Sequence, residues 1–175
     1  MPDLRYPAGK FDSAAPITAE SRAAAVADLT ALPARLRAAV AGLTDVQLDT
    51  PYRPDGWTVR QVVHHLADSH LNAYTRIRLG LTEENPTIKP YAEQKWAELP
   101  DARSAPVELS LAILDGLHQR WVALSRTLSD ADYARTVMHP EHGRQMSLDF
   151  LTAMYAWHCR HHVAHVTALR TREGW

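Results

Sequence analysis

The sequence predicts an all-α fold: an up-down four-helix bundle with a long loop between helices two and three. Three observations lead there. Four long segments carry apolar residues at helical spacing. The links between them are short or of medium length, as a bundle requires. No stretch alternates convincingly as a strand would, and there is no internal repeat or low-complexity tract.

Residues 1–17 are Pro-rich and non-periodic, and read as an extended arm on a single domain spanning 1–175. Pro16-Ile17-Thr18 leads into a first helix over about 18–43, dominated by Ala and Leu. Pro33 lies inside it and should kink or interrupt it. Residues 44–57 form a connector with Pro51, Pro54 and the turn signal Asp55-Gly56. Thr58-Val59-Arg60-Gln61 has the form of a capping box and opens the second helix. Val59, Val62, Val63, Leu66, Tyr74 and Ile77 form its apolar stripe, and it ends near Leu81.

Residues 83–105 hold Pro86, Pro90 and Pro100 and read as the long loop, with one turn over 91–99. A third helix runs from about Pro106 to Leu128, with Leu114, Leu117, Trp121, Leu124 and Leu128 as its core stripe. Residues 136–146 contain a turn at His139-Pro140-Glu141-His142-Gly143. Ser147 then caps a last helix reaching about Arg172.

Bulk properties narrow the function class. The chain has 175 residues, enough for a sizeable core, and a formal net charge of −1. That balance advertises neither nucleic acid nor an anionic membrane. No apolar run reaches membrane-spanning length, and the N-terminus lacks the hydrophobic core of a signal peptide. Cys159, the single cysteine, excludes an intrachain disulfide. A cytoplasmic protein acting on a small molecule is the expectation.

Histidine placement points to the chemistry. Seven of the ten histidines fall in two clusters: His64, His65 and His70 on helix two, and His158, His161, His162 and His165 on the last helix. Two histidines four residues apart on a helix face the same way and can grip one ion. Leu148, Leu151, Tyr155, Val166 and Leu169 define the last helix's apolar face. His162 falls near its centre and His158 close to it, whereas His161 points away and His165 lies between. On helix two, His70 is near the centre of the stripe and His65 at one margin. His64 is further out on the other side, so periodicity favours His65 over His64 only slightly. A single inward histidine is usually a core residue with a hydrogen bond. Two neutral imidazoles in one core would each need a partner, and one metal satisfies both.

The run Gly56-Trp57-Thr58-Val59-Arg60-Gln61-Val62-Val63-His64-His65-Leu66-Ala67-Asp68-Ser69-His70 resembles the second-helix signature of the DinB-like superfamily. The similarity is closest to its YfiT branch of metal-dependent hydrolases and bacillithiol S-transferases. Tyr155 to His165 resembles that branch's last-helix motif. Pro86 to Tyr91 and Leu114 to Trp121 are also similar to it. The resemblance extends from the connector before Pro51 to about Val166. It implies a four-helix bundle with a divalent metal at one end. The ligands it implies are His65, the histidine immediately before Leu66, together with His158 and His162. It also implies a homodimer.

Three imidazoles leave a divalent ion its full charge and at least one open position. Zinc or nickel is the expected ion, one per chain. Two enzyme readings follow. A bacillithiol-type small thiol could be activated to attack an electrophile, which the resemblance favours. Alternatively, hydroxide could be generated for a hydrolase. A third reading is a non-catalytic metal-binding stress protein. No clear general base for hydrolysis stands out, and Asp68 reads as an exposed helix carboxylate. Cys159 reads as buried and structural, His118 as a core-edge residue, Trp57 as a contact at the helix entry and Arg60 as a solvated first-turn arginine. Lys89 and Tyr91 are candidates for the mouth of the site. His139 and His142 receive no site.

Overall fold

The computed structural model describes residues 3–175, so the expected arm is seen from Asp3 onward. Four long helices build the molecule: α1 (Ala19–Val40), α3 (Val59–Thr82), α6 (Val107–Ser125) and α8 (Leu148–Glu173). Short helices occupy the links: α2 (Asp45–Leu48), α4 (Glu93–Ala97), α5 (Pro100–Ser104) and α7 (Asp130–Ala134).

Three of the four long helices start at a side-chain cap: α1 at Thr18, α3 at Thr58 and α8 at Ser147. At α3 the Thr58 hydroxyl accepts from the Gln61 N–H at 3.1 Å. The Gln61 side chain in turn accepts from the Thr58 N–H at 2.9 Å, completing the predicted box. Ser147 caps α8 by accepting from the Phe150 N–H at 3.1 Å, and Gly174 ends α8 in the left-handed conformation. Thr44 and Ser129 build capping boxes of their own on α2 and α7, one-turn helices too short for periodicity to reveal. Pro33 does not interrupt α1; the helix runs through it.

α1 packs against α8 and α6, and α3 packs against α6 and α8. Named contacts give the directions. Arg22 meets Asp149 at 2.7 Å, Arg160 meets Asp28, and Arg170 donates to the Ala39 carbonyl at 2.9 Å, so α1 and α8 are parallel. His64 meets Ser110 at 2.7 Å and His70 meets His118 at 2.9 Å, so α3 and α6 are parallel too. Across the other faces, His70 meets His158 at 3.1 Å and Arg76 donates to Tyr155 at 3.0 Å, which makes α3 and α8 antiparallel. The predicted four-helix bundle is present, and its second and third helices run the same way instead of alternating. A parallel pair needs a link that returns along the bundle. Residues 83–106 supply it, which explains the long loop.

Leu29, Leu36, Leu66, Leu114, Trp121 and Leu151 fill the core with almost no exposure. Each such side chain contributes roughly 1.5–3 kcal/mol on burial. Gly80 lets α3 approach α8 closely, since a Cβ there would lie 2.7 Å from Leu148 Cδ2. One element was not expected. β1 (Thr136–His139) and β2 (Arg144–Ser147) form an antiparallel hairpin, pairing Val137 with Met146. The predicted turn is its tip, with Gly143 at φ 60°. Val137 and Met146 turn inward and are buried, so one face of this short ribbon caps the core.

Candidate metal centre

α3 carries His65 about two turns in from its cap, and α8 carries His158 and His162 on successive turns. The antiparallel packing of these two helices brings the three rings together. His65 Nε2 lies 3.2 Å from His158 Nε2, and His162 Nε2 lies 3.1 Å from the same atom. All three rings therefore offer a nitrogen to one point among them. Tetrahedral zinc with bonds of about 2.05 Å would place its ligand nitrogens about 3.3 Å apart, so the spacing suits such an ion. Burial holds His65 down to about 4 and holds His158 and His162 well below the ordinary histidine value. The rings are accordingly neutral near pH 7, which is the form that binds metal. The donor set fits one divalent ion.

The cluster opens into a cleft of about 390 Å³. Trp57 forms one wall, its ring centroid 4.6 Å from that of His65 and its Nε1 donating to Gln94 at 3.1 Å. The expected helix-entry contact is thus also part of the site. The lining carries both signs of charge: Arg53 and Arg5, the latter paired with Asp3 at 3.0 Å, beside Asp55 and Glu93, whose carboxyl pKa is raised by burial.

The remaining histidines sort by helix face. His64 turns to α6, where its ring contacts Ser110 Oγ at 2.7 Å and the Ala105 carbonyl at 3.1 Å. It takes no part in the cluster. His70 is fully buried and bridges His118 and His158. His118 is not at the core edge as expected: it is buried, with Nδ1 donating to the Leu29 carbonyl at 2.6 Å. His161 was expected to face outward, and it is buried instead. The arm explains the difference: Tyr6 packs at 5.7 Å from its ring while Trp157 stacks on it at 4.4 Å. His165 stacks on Tyr52 at 3.9 Å and donates from Nε2 to the Arg5 carbonyl at 3.1 Å. His161, His162 and His165 also lie close enough to form a second three-nitrogen group, which shares His162 with the first.

Other expectations resolve similarly. Arg60 is buried rather than solvated, held by Asp49 at 2.7 Å, Asp45 at 2.8 Å and the Ala105 carbonyl at 3.1 Å. It is already paired within its own chain. Asp68 is half-buried, and burial together with the charge of Asp101 raises it to about 6. Cys159 is buried and its thiol is pushed up by that burial, the setting of a structural cysteine. Lys89 is exposed and contributes its carbonyl to Arg76 at 3.1 Å. Tyr91, His139 and His142 line a separate cavity with Arg76. The structure adds Trp57, His70 and His118 to the site's surroundings. A histidine-rich helix flags such residues by type, but their roles depend on contacts between helices.

Known proteins match closely. The sequence model of the DinB superfamily matches residues 28–166. A Bacillus cereus (strain B4264) protein named "Putative metal-dependent hydrolase" is 53% identical over 100% of both chains. A Bacillus mycoides (strain KBAB4) protein with the same description is also 53% identical over 100% of both. Among solved structures, YfiT from Bacillus subtilis superposes with a TM-score of 0.95, at 49% identity over 98% of each chain. It is described as "a probable metal-dependent hydrolase with an unusual four-helix bundle topology". Among the described residues, no helix is long and apolar enough to cross a membrane.

Proposed function

The chain belongs to the DinB superfamily, and from that premise we propose that it is a metal-dependent enzyme. We take its ligands to be His65, His158 and His162, and its reaction to be transfer of a small bacillithiol-type thiol to an electrophile. The observation that carries this reading is the neutral three-nitrogen cluster opening into a cleft with room for more than water.

When bound, a divalent ion such as zinc or nickel supplies a Lewis acid that makes a thiol or water in the open position more acidic. The chain's own residues do the rest. Arg53 stands in the cleft lining, where its guanidinium can meet an anionic group of a co-substrate. Trp57 presents an apolar face beside His65. The thiol sulfur then bonds to the electrophilic carbon, whose leaving group departs with the bonding pair. The thiol proton passes to solvent.

Glu93 favours a second reading. Its carboxyl lines the cleft with a raised pKa, the state that suits a general base acting on water. That would make the protein a hydrolase, as the names of its relatives suggest.

The two separate in one experiment. Metal-loaded protein is incubated with bacillithiol, other small thiols and a chromogenic electrophile, beside an ester panel. Conjugation that needs the thiol and disappears in His158→Ala is the expected result. Ester turnover without thiol reverses the ranking. Metal content unchanged in His65→Ala and His162→Ala removes the ligand assignment itself.

A further inference from the structure

We propose that His118, His70 and His165 are positioning residues: two hydrogen-bond chains, each ending on a backbone carbonyl, fix His158 and His162 with a bare Nε2 turned into the cluster. The proposal rests on the ligand reading above only for its effect on metal affinity.

The first chain is read from its end. A carbonyl oxygen only accepts, so His118 Nδ1 carries the hydrogen it gives to Leu29 at 2.6 Å. In a neutral ring the other nitrogen is then an acceptor. His118 Nε2 faces His70 Nδ1 at 2.9 Å, so His70 Nδ1 donates. His70 Nε2 is left bare and faces His158 Nδ1 at 3.1 Å, so His158 Nδ1 donates in turn. The chain leaves His158 Nε2 as a lone pair, 3.2 Å from His65 Nε2 and 3.1 Å from His162 Nε2.

The second chain follows the same rule. His165 Nε2 donates to the Arg5 carbonyl at 3.1 Å, which leaves His165 Nδ1 bare. His162 Nδ1 lies 3.4 Å away and donates to it. His162 Nε2 is therefore also a lone pair. Two bare nitrogens at 3.1 Å repel one another unless a cation lies between them. The hydrogen bonds thus organise the cluster for a metal before one arrives, and donation through Nδ1–H raises the basicity of each ligand.

Pro33 accounts for the first anchor. In α1 the Leu29 carbonyl would ordinarily accept from the N–H of residue 33. Proline has none, so that oxygen is free to face α6 and receive His118. The residue that sequence reading marks as a helix breaker supplies the acceptor. The second anchor comes from the N-terminal arm, so residues near Arg5 belong to the site although they ligate nothing.

The test begins with the metal-free wild-type chain. With nitrogen-15-labelled histidine, long-range proton–nitrogen spectra near pH 7.5 report each tautomer. The expected pattern is Nδ1–H for His118, His70, His158 and His162, and Nε2–H for His165. Nε2–H at His158 or His162 overturns the proposal, whatever the metal result. Zinc affinity is then measured by competition with a chromogenic chelator. His118→Leu and His165→Leu should each weaken it about 10- to 100-fold. His118→Gln should restore most of the loss, because its amide can accept from His70 and donate to Leu29. A folded His118→Leu chain with wild-type affinity also overturns the proposal. If the wild type binds no zinc, the ligand reading fails, and the tautomer pattern still decides this one.

Discussion

Acid should destabilise the metal-free protein from about pH 6.5 downward through its buried histidines, and the structure sets the size of the effect. His65 and His118 both have values depressed by burial from 6.5 to about 4. The unfolded chain takes up protons first as pH falls below the ordinary value, while the folded chain resists until about 4. Stability is therefore full above pH ~6.5, declines through the window down to ~4, and loses no more from these groups below it. Near pH 5 each ring costs about 2 kcal/mol, so the pair costs about 4 kcal/mol against a typical total of 5–15 kcal/mol. The assay is urea unfolding of chelator-treated protein near pH 7.5 and near pH 5, followed by helical circular dichroism. The midpoint should fall sharply at the lower pH, and His118→Gln should reduce that fall by about 2 kcal/mol. Equal midpoints at the two pH values would falsify the reasoning, because both rings would then be accessible to protons in the folded state.

Three further predictions use other parts of the molecule. Gly80→Ala places a Cβ 2.7 Å from Leu148 Cδ2 and 3.1 Å from Val137 Cγ1. The overpacking, about 1–3 kcal/mol, exceeds the roughly 1 kcal/mol gain in helix propensity, so the melting temperature should drop by a few degrees; a rise would show that Leu148 moves aside freely. Arg60→Ala removes the buried guanidinium that ties α3 to Asp45 and Asp49. It should cost about 1–3 kcal/mol in chemical denaturation, and an unchanged midpoint would mean that the pairing is offset by desolvation. Trp57 lies 4.6 Å from His65, so zinc should change tryptophan emission in the wild type and do so much less in Trp57→Phe; an identical response in both would place the ion elsewhere.

Legibility followed the range of the interaction. The capping boxes at Thr58 and the cap at Ser147 involve residues three apart, and the sequence displays both helix starts directly. The pair His158 and His162 also emerged from one helix's periodicity. His65 did not, because its ring sits at the margin of the apolar stripe, and the family resemblance made that choice. What escaped was non-local. His161 faces away from the bundle core, but the arm folds over it. His118 reads as an edge position on its own helix, yet the interior acceptor it serves lies on α1, 89 residues away. The parallel course of α3 and α6 was implicit in a link long enough to travel back along the bundle, but length alone did not state a direction.

That returning link has an evolutionary consequence. The bundle dictates that residues 83–106 span its length, and it constrains few of their side chains. Yet this segment carries Glu93 and Gln94 to the cleft, where Gln94 meets Trp57. Part of the cleft wall is thus encoded apart from the histidines, which sit on α3 and α8. A lineage can rewrite a handful of link positions and change what enters the cleft, while the histidines and their supporting chains stay as they are. Part of the cleft lining and the histidine cluster become separately inheritable, and one scaffold can diversify by editing the segment its topology obliges it to carry.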